Sequence, residues 1–500
     1  MEGSGFGALT VSEYASDPES APSFTSTGGF FDVEIASGSA FTSVTITDCD
    51  LSAGTVLHWW NTATSTWGTV SPASGPSGTP PCLSATLSSS STPTIGQLTG
   101  TVFVVGTPVP AASPILTTVF GAKADATAAA EFTRAFPSTK GSCPGTRAAV
   151  VATTREYQDA LSSQFLAEHL TTGTLLTPSE RLSEVTATTL RTEGVRTVYV
   201  VGGPLAITTT VSRAIGSLTA YECGGAARSA TTGKIVVHRI SGKTQYATAE
   251  AVAEFVGSAG AKAFPDAYAT SNGTGGDGKF NDTAGKGSAA PKGSVPTAIL
   301  ASGEEFQDAQ SASVLSYHTG LPLLLTPAAA LSTTTVAAIE KLGVRQVILV
   351  GGPLAVSNTV ESDLTEITGV SVLRVAGKDY TDTARELAKF EAAGSTEGLG
   401  WTPGHEVMIA RGNGFTDGLC GAVLENHHNT STGSSGTARP LLLTENSTVI
   451  GTYLGTFLKV TGHTGIDGTT AKTVTGLTVL GGPLAISSAE IASMETDLTH

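Results

Sequence analysis

Apolar residues follow two patterns along this chain, and the change between them comes near residue 113. Up to that point, short runs alternate apolar and polar side chains, at residues 9–14, 30–35, 43–49, 55–60, 82–87 and 101–105. Clusters of Gly, Ser and Pro, such as the one over 71–81, separate them. A period of two suits half-buried strands, and several short strands at such spacing predict a small all-β sandwich over residues 1–112. After a proline-containing joint at 107–114, continuous β-branched runs take turns with stretches of helical spacing. The first series predicts strands at 115–120, 147–152 and 173–177, helices at 124–136 and 156–170, and a further helix ending near 193. Uninterrupted apolar strands are the habit of parallel sheets covered on both faces, so this part reads as α/β with right-handed crossovers.

The strand that closes this series runs into Gly202-Gly203-Pro204-Leu205-Ala206. The same ending returns at Gly351-Gly352-Pro353-Leu354-Ala355 and at Gly481-Gly482-Pro483-Leu484-Ala485. Paired glycines permit a sharp reversal with close backbone approach, and the proline sets φ for the helices predicted at 208–218, 357–367 and 487–498. Other landmarks keep register with this turn. Asp159, Asp308 and Asp417 stand near predicted helix starts; leucine runs end at Thr177, Thr326 and Thr444; and Gly121, Gly242 and Gly377 precede Thr127, Thr248 and Thr383 by the same interval. Asp159 and Gly202 are 43 positions apart, as are Asp308 and Gly351, whereas Asp417 and Gly481 are 64 apart because of insertions near 429–436 and 461–465. Three repeats follow, at 113–234, 235–369 and 370–500.

Five hundred residues exceed what one core organises, and 40% apolar composition can supply several. Only 14% of residues are charged, and the net charge is −15 without blocks of either sign. That excludes a basic nucleic-acid footprint but leaves open a polyanion gripped by a few cations gathered in one groove. No apolar run reaches the roughly 18–20 residues of a membrane-spanning helix. The start, Met1-Glu2-Gly3-Ser4-Gly5-Phe6, lacks the basic-then-apolar layout of a secretory signal. With the Ser/Thr-rich composition and the cysteine placement, the expectation is a secreted chain whose signal has been removed. Cys49 and Cys82 are placed to pair in the β region, and Cys143 with Cys223 in the first repeat; each bridge would contribute on the order of 3–5 kcal/mol in the chain-entropy model. Cys420, on a predicted helix, reads as a small buried hydrophobe.

The repeat is clearest in its second copy: Arg239-x-x-Gly242, Tyr246 to Ala249, Ala301-Ser302-Gly303, Phe306-Gln307-Asp308-Ala309, Pro322 to Thr326 and Gly351 to Ser357. In this order and register, over residues 113–500, these motifs resemble the type 2 cell-wall-binding repeat family. The resemblance implies three tandem Rossmann-like α/β modules, with parallel sheets and helices on both faces, packed as a pseudo-trimer. It further implies a role in holding bacterial surface or S-layer proteins non-covalently on an anionic cell-wall polysaccharide or teichoic-acid-like polymer, with no chemistry of their own. Weak contacts to a repetitive polymer gain when three sites act together. The motif arginine stands at Arg239 and Arg374 and is Thr118 in the first repeat. Where the family places a second arginine, this chain has Ala124, Gln245 and Tyr380. Lys123, Lys243 and Lys378 supply nearby positive charge as point charges.

The polymer-contacting residues expected are therefore Arg239, Lys243, Arg374, Lys378 and Lys123, with the pairs Gly202/Gly203, Gly351/Gly352 and Gly481/Gly482. These glycines either cradle an anionic group at a helix N-terminus or serve tight strand-to-helix packing. Lacking a third glycine and a downstream acid, they are not a dinucleotide fingerprint. The three aspartates have no titratable partner at fixed spacing and read as helix-start carboxylates, so no catalytic residue is expected. Trp59 and Trp60 are adjacent on a strand and point to opposite faces, which leaves one of them for a loop, a sugar or a neighbouring subunit. No cofactor is expected. Residues 271–282, with Asp277 and Asp282, have the composition of a calcium loop without its ligand spacing, leaving a structural calcium as an option. His427-His428 reads as solvent-exposed, and Asn272, Asn281, Asn429 and Asn446 begin glycosylation sequons. The chain thus reads as a non-enzymatic, wall-anchored extracellular protein. The alternative is a subunit that self-assembles into a surface layer or filament, its β domain and repeat insertions making the contacts.

Overall fold

The computed structural model describes residues 1–14, 18, 24–52, 54–62, 66–108, 114–136, 147–221, 233–257, 263–264, 295–393, 399, 402–403, 405–424, 437–466 and 473–499. They form two compact units, Met1–Ala112 and Ser113–His500. Cys143, Cys223, His427, His428, Asn272, Asn281, Asn429 and the segment from Asp277 to Asp282 lie outside the described residues.

The first unit contains two antiparallel sheets. One has the order Glu2–Phe6, Ala40–Cys49, Cys82–Leu87, Ala73–Ser77. The other runs Leu9–Tyr14, Phe30–Ile35, Thr99–Pro108, Val56–Asn61, Thr66–Thr69, with Phe24–Ser26 also paired to Thr99–Pro108. Alternation places Val44, Ile46, Leu83 and Leu87 of the first sheet against Val33, Leu57, Trp59 and Phe103 of the second, and this is the core. Cys49 and Cys82 face each other in register and are disulfide-bonded. Both tryptophans are buried, correcting the expectation that one is presented to a sugar or a subunit. Trp59 (4% exposed) enters the core, while Trp60 (7%) packs on the opposite face with Phe24, Phe30 and Trp67.

In the second unit, three parallel sheets share one strand order. The first runs Thr174–Thr177, Ala148–Thr153, Thr197–Val201, Val236–Ile240. The second runs Leu323–Thr326, Val295–Ser302, Gln346–Val350, Ser371–Val375, with a short antiparallel Ala263–Phe264 also on Val295–Ser302. The third runs Leu441–Thr444, Glu406–Arg411, Gly476–Leu480, Ile115–Val119. The last strand of each sheet therefore comes from the next repeat, and the last repeat borrows from the first. The boundaries at 234/235 and 369/370 fall just before strands that complete the preceding sheet.

The helices Gln158–His169 and Gln307–Thr319 are buried on nearly every side, which explains why their sequences have no polar face. In the third repeat the expected helix from Asp417 is instead a turn followed by a single 3-10 turn, Gly421–Leu424. A Cβ at Gly418 would stand 1.8 Å from Gln310 Nε2, and one at Gly421 would stand 2.3 Å from the Leu480 side chain, so packing requires glycine, a poor helix former, at both positions. Cys420 therefore precedes this short turn rather than sitting on a helix, and it is buried and unpaired. Two residues before each aspartate, Tyr157, Phe306 and Phe415 meet as a triangle, with ring centroids 5.8, 5.7 and 5.7 Å apart. Rings tilted by 54–68° at this spacing attract edge to face, so one aromatic from each repeat contributes to a shared seal.

Candidate functional site

The three glycine turns are built alike, and each is completed by the following repeat. Gly202, Gly351 and Gly481 have φ of +110°, +113° and +103°, a region that side-chain-bearing residues avoid. Space makes the same demand. A Cβ there would lie 2.3 Å from Asp159 Oδ2, 2.5 Å from Asp308 Oδ2 and 3.0 Å from the Asp417 side chain. The amides of these glycines donate across the seam to Ile240, Val375 and Val119 carbonyls, at 2.9, 3.0 and 3.0 Å. Thr208 and Ser357 then cap the next helix by accepting from Val211 N and Val360 N.

Beneath each turn lies a relay that crosses the seam. Gly121, Gly242 and Gly377 amides donate to Thr127, Thr248 and Thr383 Oγ1, each at 3.1 Å. Thr127 Oγ1 donates in turn to Asp417 Oδ1 at 3.0 Å, so the first repeat grips the third. Thr248 and Thr383 bond the Asp159 and Asp308 carboxylates in the same sense. Burial pushes Asp159 and Asp308 up to about 6, with the threonine bonds opposing, and raises Asp417 as well, where Thr127 and Arg411 oppose. Asp159 and Asp308 do begin helices, whereas Asp417 does not; position in the seam is what all three share.

The two arginines hold the turns from behind. Arg239 Nη1 donates to Gly202 O at 2.5 Å and Nη2 to Ile207 O at 2.7 Å. Arg374 Nη1 donates to Gly351 O at 2.7 Å and Val356 O at 2.8 Å, and Nη2 pairs with Glu361 at 3.0 Å. Both guanidinium groups are thereby engaged within the protein, on backbone carbonyls and, respectively, on the Ser212 hydroxyl and the Glu361 carboxylate, and burial lowers the pKa of Arg239. Thr118 takes this place behind the third turn, in register with Val479 as Arg239 is with Val200. The cations left facing outward are Lys243, Lys378 and Lys123, all exposed. Lys243 follows Gly242, whose carbonyl is 4.0 Å from a Cβ built on Gly203; Lys378 follows Gly377, 3.6 Å from one built on Gly352.

The structure thus groups Gly202/Gly203 with Arg239 and Lys243, Gly351/Gly352 with Arg374 and Lys378, and Gly481/Gly482 with the segment leading to Lys123. Sequence reasoning saw these residues within repeats and missed that each group spans two of them. The shared interval between each glycine and its threonine was the signal for the relay. Among the described residues, no group of three or more His, Cys, Asp or Glu could hold a metal ion. An open hollow of about 600 Å³ is lined by Leu331, Glu340, Arg345, Asp363 and Glu366, at the far end of Asn358–Glu366 from the glycine turn. Three carboxylates against one arginine do not suit an anion.

Residues 239–361 and 374–491 match the model of cell wall binding domain 2 (CWB2). N-acetylmuramoyl-L-alanine amidase LytC of Bacillus subtilis (strain 168) is 37% identical over 100 residues, covering 20% of this chain and 20% of the enzyme. Among solved structures, Cwp8 from Clostridium difficile is similar with a TM-score of 0.52 at 18% identity, over 77% of this chain and 51% of that one. Cwp6 from Clostridium difficile is similar with a TM-score of 0.55 at 13% identity, over 98% and 68%. At these identities the likeness to both structures is one of fold. The chain spans a fifth of the amidase and about half of Cwp8.

Proposed function

Because its second and third repeats carry cell wall binding domain 2 regions, we propose that this chain is a cell-surface protein held non-covalently on an anionic wall polymer. Its three Rossmann-like repeats close into a pseudo-threefold ring and grip the polymer at the glycine turns. The observation that carries the reading is the repeated seam: a rigid Gly-Gly turn on one repeat beside an exposed lysine of the next. Lys123, Lys243 and Lys378 then supply the charge, while Arg239 and Arg374 fix the shape of the turns. Three weak sites on one rigid frame raise each other's effective concentration along a repeating chain. The aspartates donate no chemistry, since each is engaged with a threonine and wedged under a turn. Sedimentation of the full chain with wall fragments, before and after extraction of their anionic polymer, tests this. Binding should follow the polymer, and equal binding to extracted fragments overturns the reading.

A second reading, self-assembly through the β unit, is favoured by one observation. Glu2–Phe6 is an edge strand exposed along its whole length, with Phe6 69% exposed. Unpaired strand edges template pairing with another chain.

A further inference from the structure

Each glycine turn holds a leucine away from the protein. Leu205, Leu354 and Leu484 are 91%, 99% and 92% exposed, whereas Ile207, Val356 and Ile486, two positions on in the same turns, are fully buried. The fold explains the second set and not the first. The whole Gly-Gly-Pro-Leu-Ala turn returns unchanged in the three copies, and within it the leucine has no packing role, so it is a surface feature rather than a core one. Its support is rigid: the glycine at positive φ, the carboxylate beneath and, in two copies, the arginine behind leave the turn one conformation. At the third turn Phe120, 49% exposed, lies against Gly482, whose added Cβ would be 2.9 Å from its ring. At the other two turns the backbone of Gly242 and Gly377 comes close, and the exposed Lys243 and Lys378 follow these glycines in the chain.

We infer that the leucines Leu205, Leu354 and Leu484 are specificity contacts for the wall polymer, each taking the methyl of an acetamido sugar that lies next to the polymer's negative charge. This rests on the polymer reading above and adds what the polymer must look like. A bare polyphosphate has nothing apolar to set on a leucine beside a lysine. An acidic glycan with N-acetylated sugars has both groups within one residue, and its C–H faces suit the Phe120 ring as well. The rigid turn means that little ordering cost is added on binding.

The test uses the full chain and solubilised anionic wall polymer, with the triple variant Leu205→Ser, Leu354→Ser, Leu484→Ser. The variant should melt with the parent, because the side chains are almost fully exposed, yet bind the polymer more than about tenfold more weakly, as three linked apolar contacts imply. Chemical removal of the acetyl groups should abolish that difference. Equal affinity of parent and variant overturns the leucine assignment and leaves the polymer reading standing. No binding by the parent overturns both. A variant penalty that persists on deacetylated polymer overturns the methyl as the group recognised. Loss of self-association by the variant with unchanged polymer binding makes a second copy the occupant and overturns the inference.

Discussion

Replacing Asp308 with asparagine isolates the electrostatic character of the seams. Asp308 is 8% exposed, and its carboxyl is raised from 3.8 to about 6, chiefly by burial, with Thr383 opposing and Asp379 adding. A shift of about two units corresponds to roughly 3 kcal/mol of differential stability between protonation states. Since the folded value lies above the unfolded one, this contribution is fully present below about pH 4 and is lost as pH rises through 6. The parent should therefore grow more stable on acidification from pH 8 to pH 4 in part through this residue, and Asp308→Asn should lack that part. Other groups titrate equally in both proteins and cancel in the difference. The assay is urea unfolding of parent and variant across this range. The transition of the Ser113–His500 unit is identified as the one that does not move when Cys49 and Cys82 are both replaced by serine. The stability difference, variant minus parent, should rise by roughly 3 kcal/mol from pH 4 to pH 8. Parallel pH profiles would refute the reasoning, because they would mean that the Asp308 carboxyl is solvated or already neutralised in the folded protein.

Arg374→Ala should lower the unfolding free energy of the same unit by roughly 2–3 kcal/mol, read as a lower urea midpoint, since the carbonyls of Gly351 and Val356 lose a charged donor, and Arg374→Lys should recover less than half. The double variant Cys49→Ser, Cys82→Ser should destabilise the Met1–Ala112 unit alone, by on the order of 3 kcal/mol, seen as a shift in one of two unfolding transitions. If the β unit assembles, Phe6→Lys should abolish assemblies seen by negative-stain microscopy while leaving wall binding intact, because a lysine on an exposed edge blocks strand addition.

Strand positions in both units followed from local pattern where the pattern was strong. Phe30–Ile35 and Cys82–Leu87 lie where their alternation placed them, and Leu9–Tyr14 is a strand at the expected place although it is exposed from Thr10 onward. Glu2–Phe6 and Ala73–Ser77 escaped notice because Gly, Ser and Pro dominate them and their neighbours supply the pairing. Trp60 was misjudged for a related reason. Alternation gives the face of a side chain, not what covers that face, and Phe24, Phe30 and Trp67 cover it. The turn that replaces a helix over the described residues 417–424 was foreshadowed by Gly414, Gly418 and Gly421, each of which lies against another side chain. The repetition itself was legible as a sequence period, but the exchange of Val236–Ile240, Ser371–Val375 and Ile115–Val119 between sheets was not. A period has no marker for which neighbour a strand joins.

Ile115 pairs with Gly476 and Val119 with Leu480. The opening strand of the α/β unit thus has no lasting partner until residues 476–480 have been made. Contacts of such long sequence separation slow folding, so this clasp closes late. Removing any one repeat leaves one sheet without its edge and one strand without a sheet. The number of repeats is consequently fixed by topology, and the unit cannot be shortened in the way that an open solenoid can.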